Sequence, residues 1–346
     1  MLDLEEKLAF LKAASTYADY GQKLECIETH MSWVFLVGQR VFKLKKPVVF
    51  PFLDFRTLRA REHFCREEVR LNKRMAPNIY LGLAALQLNQ GKFKLVPENH
   101  LPAPGETVDW LVMMRRLPVN RMLGELLLTG QVASGDIHSL IGLLADFYRT
   151  AALAQLTASD HIGHFRREFG RNREVLLNQR FDLESASPIL DHLDDALDRV
   201  APLLAARVSQ ARIIDGHGDL RPDHVCLLEP PVVIDCLEFS PQLRQVDPFD
   251  EIAYLGLVCD AAGSAWIGPM LETGISSALC DQPPKELIHF YTAHRAVLRA
   301  RLAMAHLLDE LPRSPAKWPP LASRYLGRAK TALEALSSGA FRGNHV

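Results

Sequence analysis

The residues best placed to do chemistry lie close together in the second half of the chain. The segment Ile213-Ile214-Asp215-Gly216-His217-Gly218-Asp219-Leu220-Arg221-Pro222-Asp223-His224 runs into Val225-Cys226-Leu227-Leu228. The turn Glu229-Pro230-Pro231 and then Val232-Val233-Ile234-Asp235 follow. Two apolar runs around a three-residue turn predict a hairpin. That pairing brings His224 and Asp235 to one open end, with Asp219 five residues before His224 on the loop leading in. One carboxylate in such a cluster can take a proton from a hydroxyl. Another can hold Mg²⁺, which binds a few carboxylate oxygens together with waters and phosphates. Phosphoryl transfer asks for this set, because its loose transition state needs positioning and charge neutralisation more than covalent chemistry. An isolated His-Gly-Asp is also a turn whose Asp satisfies backbone amides. The downstream hairpin and Asp235 favour the catalytic reading.

Residues 217–224 resemble the catalytic loop of the kinase superfamily, H-x-D-L with an Asn five residues after the Asp. The His-Gly-Asp form resembles the aminoglycoside phosphotransferase and choline kinase branch. Ile234-Asp235-Cys236-Leu237-Glu238 resembles that branch's I-D-x-x-E, and Asp247-Pro248-Phe249-Asp250-Glu251-Ile252-Ala253 resembles its D-P-x-x-D-L-A helix start. VFKLKKPV, FLDF, DGHGDLRPDH and DCLEFSPQLRQVDPFDE resemble, more narrowly, an uncharacterised bacterial aminoglycoside phosphotransferase-like family. Some members of that family carry an extra P-loop kinase domain. No G-x-x-x-x-G-K-[ST] occurs here, so a stand-alone version is expected.

The resemblance implies an α+β, protein kinase-like, two-lobed fold. Residues 1–117 would form a nucleotide-binding lobe, a small antiparallel sheet with one helix. Residues 118–346 would form a larger, mostly helical lobe with the catalytic loop and the acceptor-binding helices. It implies ATP and Mg²⁺ as cofactors, Asp219 as the base, and Asp235 as the ligand holding Mg²⁺ against the β- and γ-phosphates. His224 stands where the pattern has Asn. An imidazole can ligate a metal as a softer donor than the Asn carbonyl, or hydrogen-bond Asp219 or a phosphate instead.

A phosphate-holding lysine is expected on the third strand of the first lobe, and Lys43, Lys45 and Lys46 compete for that role. Alternation puts Val41, Lys43 and Lys45 on one face and Phe42, Leu44 and Lys46 on the other. In the V-A-I-K pattern that the resemblance implies, a small or apolar residue two before the lysine packs on the adenine. Lys43 has Val41 there, whereas Lys45 has Lys43, so Lys43 is favoured. The same KLKK run also reads as a solvated basic edge. The helical partner would be Glu67 or Glu68, and Glu68 is favoured because Leu71 and Met75 lie three and seven residues on from it. No G-x-G-x-x-G precedes the second strand. Thr29-His30-Met31-Ser32 stands there instead, leaving backbone amides and the Thr29 or Ser32 hydroxyl to meet phosphate oxygens. Met113, Met114, Arg115 and Arg116 would form the hinge that reads the adenine edge. His217 reads as a buried structural group, Asp247 as a helix cap or a tie on the loop, and Glu238 as either a solvated or a site residue. Arg295 and Arg299 share one helix face. They either line an acceptor pocket or pair with nearby acids.

The elements that must position these groups follow from periodicity. A leading helix is expected over 2–18, on Leu4, Leu8 and Leu11. Strands follow over 32–37 and 40–46 around Gly38-Gln39, with Pro47 and Pro51 ending their pairing. A charged helix over 58–74 stops at Ala76-Pro77-Asn78. Strands are expected over 81–87, 93–96 and 108–114. Helices then run over 120–129, 134–157, 165–180 and 188–208, a β-rich stretch over 212–239, and helices again from Phe249. Leu287, Phe290, Tyr291, His294, Val297, Leu298 and Leu302 form one apolar stripe, expected to be core. The tail from Ser337 reads as fraying.

Composition narrows the partners. The 346 residues are 48% hydrophobic and 23% charged, with net charge −1, so no basic domain announces nucleic-acid binding. The six cysteines form no C-x-x-C pair, and their apolar surroundings predict buried thiols in a reducing cytoplasm. The N-terminus has no signal-peptide pattern, and no apolar run approaches the ~18 residues of a membrane helix. The expected partner is a small-molecule acceptor of unspecified identity, with no nucleic acid and no membrane. Oligomeric state is left open. The competing reading is a nucleotide-binding, pseudokinase-type regulatory module without phosphotransfer, motivated by His224 and the missing Gly-rich loop. Adenylyl transfer is a third.

Overall fold

The structure, a computed structural model, describes residues 4–340 except 22, 51, 182, 184, 185, 310 and 311. Pro51, the start of the leading helix at 2–3, and the tail beyond 340 lie outside the described residues. In chain order the elements are α1 (Leu4–Leu11), β1 (Leu24–Glu28), β2 (Ser32–Val37), β3 (Arg40–Lys45), β4 (Val49–Phe50), β5 (Leu53–Asp54), α2 (Leu58–Asn72), β6 (Tyr80–Asn89), β7 (Lys92–Pro97) and β8 (Glu106–Arg115). Then come α3 (Leu123–Thr129), α4 (Ser134–Thr150), α5 (Ala158–Leu176), α6 (Ala186–Ser209), β9 (Ile214–Asp215), β10 (Val225–Cys226) and β11 (Val232–Val233). The chain closes with α7 (Pro241–Arg244), β12 (Gln245–Val246), α8 (Pro248–Ala261), α9 (Ile267–Leu279), α10 (Lys285–Ala305) and α11 (Trp318–Ala340). The leading helix is shorter than its pattern suggested, with a 3₁₀ turn over Ala14–Tyr17 completing it.

Two compact units result. The first is Met1–Leu126 with Asp223–Leu243; the second is Leu127–Pro222 with Arg244–Val346. Residues 223–243, which the sequence reading placed with the helical part, thus belong with the sheet. Their packing gives the reason: Cys226 and Val232 are buried in one cluster with Cys65, Val69, Tyr80 and Val112.

In the first unit a six-stranded antiparallel sheet has the order β1-β2-β3-β8-β6-β7. Strand alternation sends Phe35, Phe42, Leu44, Leu86 and Leu111 to one face, where Leu11 and Tyr17 cover them. The opposite face takes α2 through Cys65 and Val69 against Ala85, Trp110 and Val112. Helix α2 starts where Thr57 caps it, the hydroxyl accepting the Ala60 N–H at 3.1 Å. The β2–β3 turn needs Gly38, whose φ is +52° and where a Cβ would come within 2.4 Å of the Tyr20 carbonyl oxygen. A strand missed by the sequence reading, β1, pairs with β2 from Leu24↔Val37 to Glu28↔Trp33. Its exposed Glu25 and Cys26 blur the alternation that would have announced it.

In the second unit α10 packs against α5, α6, α8 and α11. The stripe Leu287, Phe290, Tyr291, His294 and Val297 is buried as expected, but Leu302 is 41% exposed. Small residues, Ala300 and Ala303, with Met304, continue the buried face in its place. The β-rich stretch expected over 212–239 contracts to two-residue strands. β9 pairs with β12 (Ile214↔Val246, Asp215↔Gln245), and in the first unit β10 pairs with β11 (Val225↔Val233, Cys226↔Val232). The cysteines also depart from expectation: Cys65, Cys226, Cys236 and Cys259 are buried free thiols, whereas Cys26 and Cys280 are exposed. Among the described residues no helix is long and apolar enough to cross a membrane.

Candidate active site

The first unit gathers Lys43, Lys45, Glu68, Asp235 and Glu238. Lys43 and Lys45 point to the α2 side of β3, because residues two apart share a face. Glu68 reaches them from α2 and is fully buried. Lys43 Nζ lies 2.9 Å from Glu68 Oε1 and 2.8 Å from Asp235 Oδ1. Lys45 Nζ lies 2.6 Å from the other Glu68 oxygen and also donates to Glu238. Glu67, the competing acid, is on the outer face of α2 and pairs with Arg70 at 2.7 Å. The KLKK run is therefore not a solvated edge: Lys45 is 1% exposed.

The electrostatics follow from burial set against pairing. Burial alone would lower the pKa of Lys43, but the Asp235 and Glu68 carboxylates outweigh it and hold it well above the ordinary value. Lys45 behaves alike, burial being overcome by Glu238 and Glu68. Burial pulls the Glu68 carboxyl upward, yet the Lys43 and Lys45 ammoniums prevail and hold it below its usual range. For Glu238 burial prevails over Lys45 and the carboxyl is pushed up. Lys43 and Glu68 thus hold each other in the charged form, whereas burial shifts Glu238 towards its protonated form.

Asp235 sits just past β11 with φ +62°, a left-handed conformation rare for a residue bearing a side chain. Its N–H donates to the Tyr80 hydroxyl at 3.2 Å, and the next N–H, of Cys236, donates to Asn72 Oδ1 at 2.9 Å. The Asn72 amide also donates to the Glu68 carbonyl at 2.8 Å. Helix α2 therefore holds both the Lys43 partner and the turn that presents Asp235. His224 comes to the same end: its carbonyl accepts the Ile234 N–H at 2.9 Å, and its Nε2 lies 3.5 Å from Asp235 Oδ2. Asp235 keeps a side chain 46% exposed, whereas that of His224 is 6% exposed.

The second unit holds the loop of Asp219. Glu251, on α8, accepts the N–H groups of His217 at 2.8 Å and Gly218 at 2.6 Å, and the Tyr148 hydroxyl at 3.1 Å. His217 is fully buried, and its Nδ1 accepts the Asp219 N–H at 3.2 Å, which sets the ring proton on Nε2. Asp219 Oδ1 accepts the Tyr254 hydroxyl at 3.2 Å, and Oδ2 accepts Arg221 Nε at 3.0 Å. Burial first and Asp219 second push the Tyr254 phenol up, so it stays a neutral donor. Asp247 caps α8, accepting the Phe249 N–H at 2.9 Å, and is gripped by buried Arg207, which also binds Asp281. Asp250 holds Arg295 through two bonds of 2.7 Å each.

The remaining predicted residues are placed as follows. Ser32 opens β2 opposite Lys45 and is 2% exposed. Its N–H donates to Thr29 Oγ1 at 2.9 Å, and the Thr29 hydroxyl donates to the Ser32 carbonyl at 3.0 Å, so the turn closes on itself. Met113, Met114 and Arg115 lie on β8 opposite Phe42, Val41 and Arg40. Two amides of this segment are engaged, Arg115 N–H with the Ile79 carbonyl and Arg116 N–H with the Gln39 carbonyl, each at 2.9 Å. Sequence reasoning missed Asn72, Tyr80, Tyr148 and Tyr254. Each lies in another element, and only the Glu68–Asn72 spacing of four along α2 hinted at any of them.

No family model matches the chain. An uncharacterised protein of Mycobacterium bovis and one of Mycobacterium tuberculosis are each 32% identical to it over 295 residues. The match covers 84% of this chain and 56% of each relative, so the chain spans little more than half the length of the curated relatives it matches. Among solved structures, a choline/ethanolamine kinase family protein from Mesorhizobium loti is similar with TM-score 0.53 at 14% identity, over 95% of this chain and 94% of that one. Choline kinase from Cryptosporidium parvum is similar with TM-score 0.51 at 10% identity, over 93% and 90%. The chain has the protein kinase-like fold of these choline kinase structures.

Proposed function

We propose that the chain is a phosphotransferase that uses ATP and Mg²⁺ to phosphorylate a hydroxyl of a small molecule, with Asp219 as base. The observation that carries this reading is Lys43, ion-paired at once to buried Glu68 and to Asp235 in its left-handed turn. Backbone held in so sparse a conformation by bonds to Tyr80 and Asn72 is characteristic of a working site.

The residues fit a Mg²⁺ site of few protein ligands. Asp235 offers a hard, half-exposed carboxylate, as Mg²⁺ prefers, while the His224 nitrogen is too soft to replace a carbonyl oxygen well. Bound there, Mg²⁺ would neutralise charge on the β- and γ-phosphates. Lys43, kept charged by Glu68, binds phosphate oxygen. Asp219 accepts the proton of the acceptor hydroxyl as its oxygen attacks phosphorus, and ADP leaves. The Tyr254 and Arg221 hydrogen bonds hold that carboxylate in orientation.

The test is a panel of small hydroxyl compounds incubated with ATP labelled at the α- or the γ-phosphate, comparing the wild type with Asp219→Asn. Label from the γ-position in a product, lost in Asp219→Asn, is expected. Transfer of the α-label would replace the reading with adenylyl transfer. Mg²⁺-dependent ATP binding with no transfer to any acceptor would favour a regulatory module, which His224 in place of Asn motivates.

A further inference from the structure

Lys45 is buried beside the phosphate-binding Lys43 yet cannot itself reach a ligand. Its side chain is 0% exposed, against 16% for Lys43 and 46% for Asp235. Its ammonium is enclosed within the first unit by Glu68 Oε2 at 2.6 Å, by the Glu238 carboxylate, and by the Phe55 ring, whose centre lies 5.2 Å away. Any part that Lys45 takes in binding is therefore exerted through its neighbours. A buried network of this kind is a poor stability device, since well-packed apolar side chains of similar volume often do as well or better.

The neighbour through which Lys45 acts is Glu68, whose two oxygens are divided. Oε1 accepts Lys43 at 2.9 Å, and Oε2 accepts Lys45 at 2.6 Å. Lys45 also takes up Glu238, the second buried acid of the cluster. The Glu238 charge acts on Lys43 as well. Without Lys45, Glu68 and Glu238 would have Lys43 as their one ammonium among the described residues. Two buried carboxylates would then draw Lys43 inward, away from half-exposed Asp235, which it meets at 2.8 Å. On the phosphotransfer reading above, we propose that Lys45 is a positioning residue: by holding Glu238 and the second oxygen of Glu68, it keeps Lys43 directed at the phosphates.

The test compares ATP with adenosine, which has the same base and sugar but no phosphate. Binding of each, with Mg²⁺ and without any acceptor, is measured by titration calorimetry on the wild type, Lys45→Met, and Lys45→Met carrying Glu238→Gln. Methionine keeps an unbranched side chain against Phe55 while removing the charge. In Lys45→Met the Kd for ATP should rise about tenfold or more, the worth of one hydrogen bond to a charged group, while the Kd for adenosine changes little. Removal of the stranded carboxylate in the double variant should bring ATP binding back to within about threefold of the wild type. A merely structural lysine would weaken ATP and adenosine alike. That outcome, an unchanged ATP affinity in Lys45→Met, or a double variant as weak as the single one would overturn the proposal. If Lys45→Met does not fold, Lys45→Gln, which keeps a donor for the acid pair, takes its place and the same outcomes decide. Because no acceptor is present, a protein that shows this pattern but transfers no phosphate overturns only the phosphotransfer reading. A wild type that binds no ATP overturns both.

Discussion

Lys43 and Lys45 stand two residues apart on one strand face and share one glutamate, so each residue's role depends on which oxygen and which second acid it meets. Lys43 faces half-exposed Asp235, while Lys45 is closed in with Glu238. Removing Glu68 leaves buried lysine charge under-compensated, which costs about 3–5 kcal/mol where a buried pair is broken. Chemical denaturation of Glu68→Ala should show a loss of that order, whereas Glu67→Ala, on the solvated face, should fall within about 0.5 kcal/mol of wild type. Equal losses would contradict the assignment of Glu68 as the inward partner. For Asp219→Ala, a fall in transfer rate of roughly 100- to 10,000-fold is expected, with nucleotide affinity retained. Asp235→Ala should instead abolish the Mg²⁺-dependent part of ATP binding, read by titration calorimetry with and without the metal.

At the scale of elements, α8 builds the Asp219 loop. Its first turn supplies Glu251, which accepts two amides of the loop, and Asp250, which holds the Arg295 that donates to the Gly218 carbonyl; its second supplies Tyr254, which donates to Asp219. The loop passes so close that only glycine fits at 216. A Cβ there would come within 2.5 Å of Val246 Cγ2 and 3.0 Å of Glu251 Oε1. Gly216→Ala should therefore destabilise by about 1–3 kcal/mol. It should also lower kcat more than it raises the KM for ATP, because Glu251 is pushed off the amides that place Asp219. A variant with wild-type stability and turnover would show that the loop has slack.

At the scale of the whole molecule, buried histidines contribute to the pH dependence of stability. His161 and His294 are buried, each with a ring nitrogen lacking a partner among the described residues, and both pack edge-on to Phe165. Burial pulls His161 from 6.5 to about 4 and His294 well below its ordinary value. These rings are neutral when folded and take up protons when unfolded, so stability rises with pH between about 4 and 6.5 and is lost on acidification through that window. Melting temperatures should fall steeply from pH 6.5 to 4.5, and less steeply in His161→Phe, which keeps the aromatic packing without the titrating ring. Identical slopes in the two proteins would remove His161 from the account.

The sequence by itself determined the elements and the chemistry carried by near neighbours. Period-2 and period-3.6 patterns placed β2, β3, β8, α2 and the long helices. The run from His217 to Asp235 joined its groups through one short hairpin, so local pairing sufficed to put His224 beside Asp235. Helical spacing favoured Glu68 over Glu67, and their partners, Lys43 for Glu68 and Arg70 for Glu67, came from the packing. Only the tertiary structure decided what depends on long-range burial. It showed that Lys45 is paired rather than solvated, that residues 223–243 pack with the sheet, and that Leu302 faces water while Ala300 and Ala303 fill the core. It also divided Arg295 from Arg299: two arginines with the same spacing and the same face differ because Asp250, far away in the chain, reaches only one of them. Strand and helix patterns are local properties of a chain, whereas which charge meets which partner is settled only when distant elements have packed.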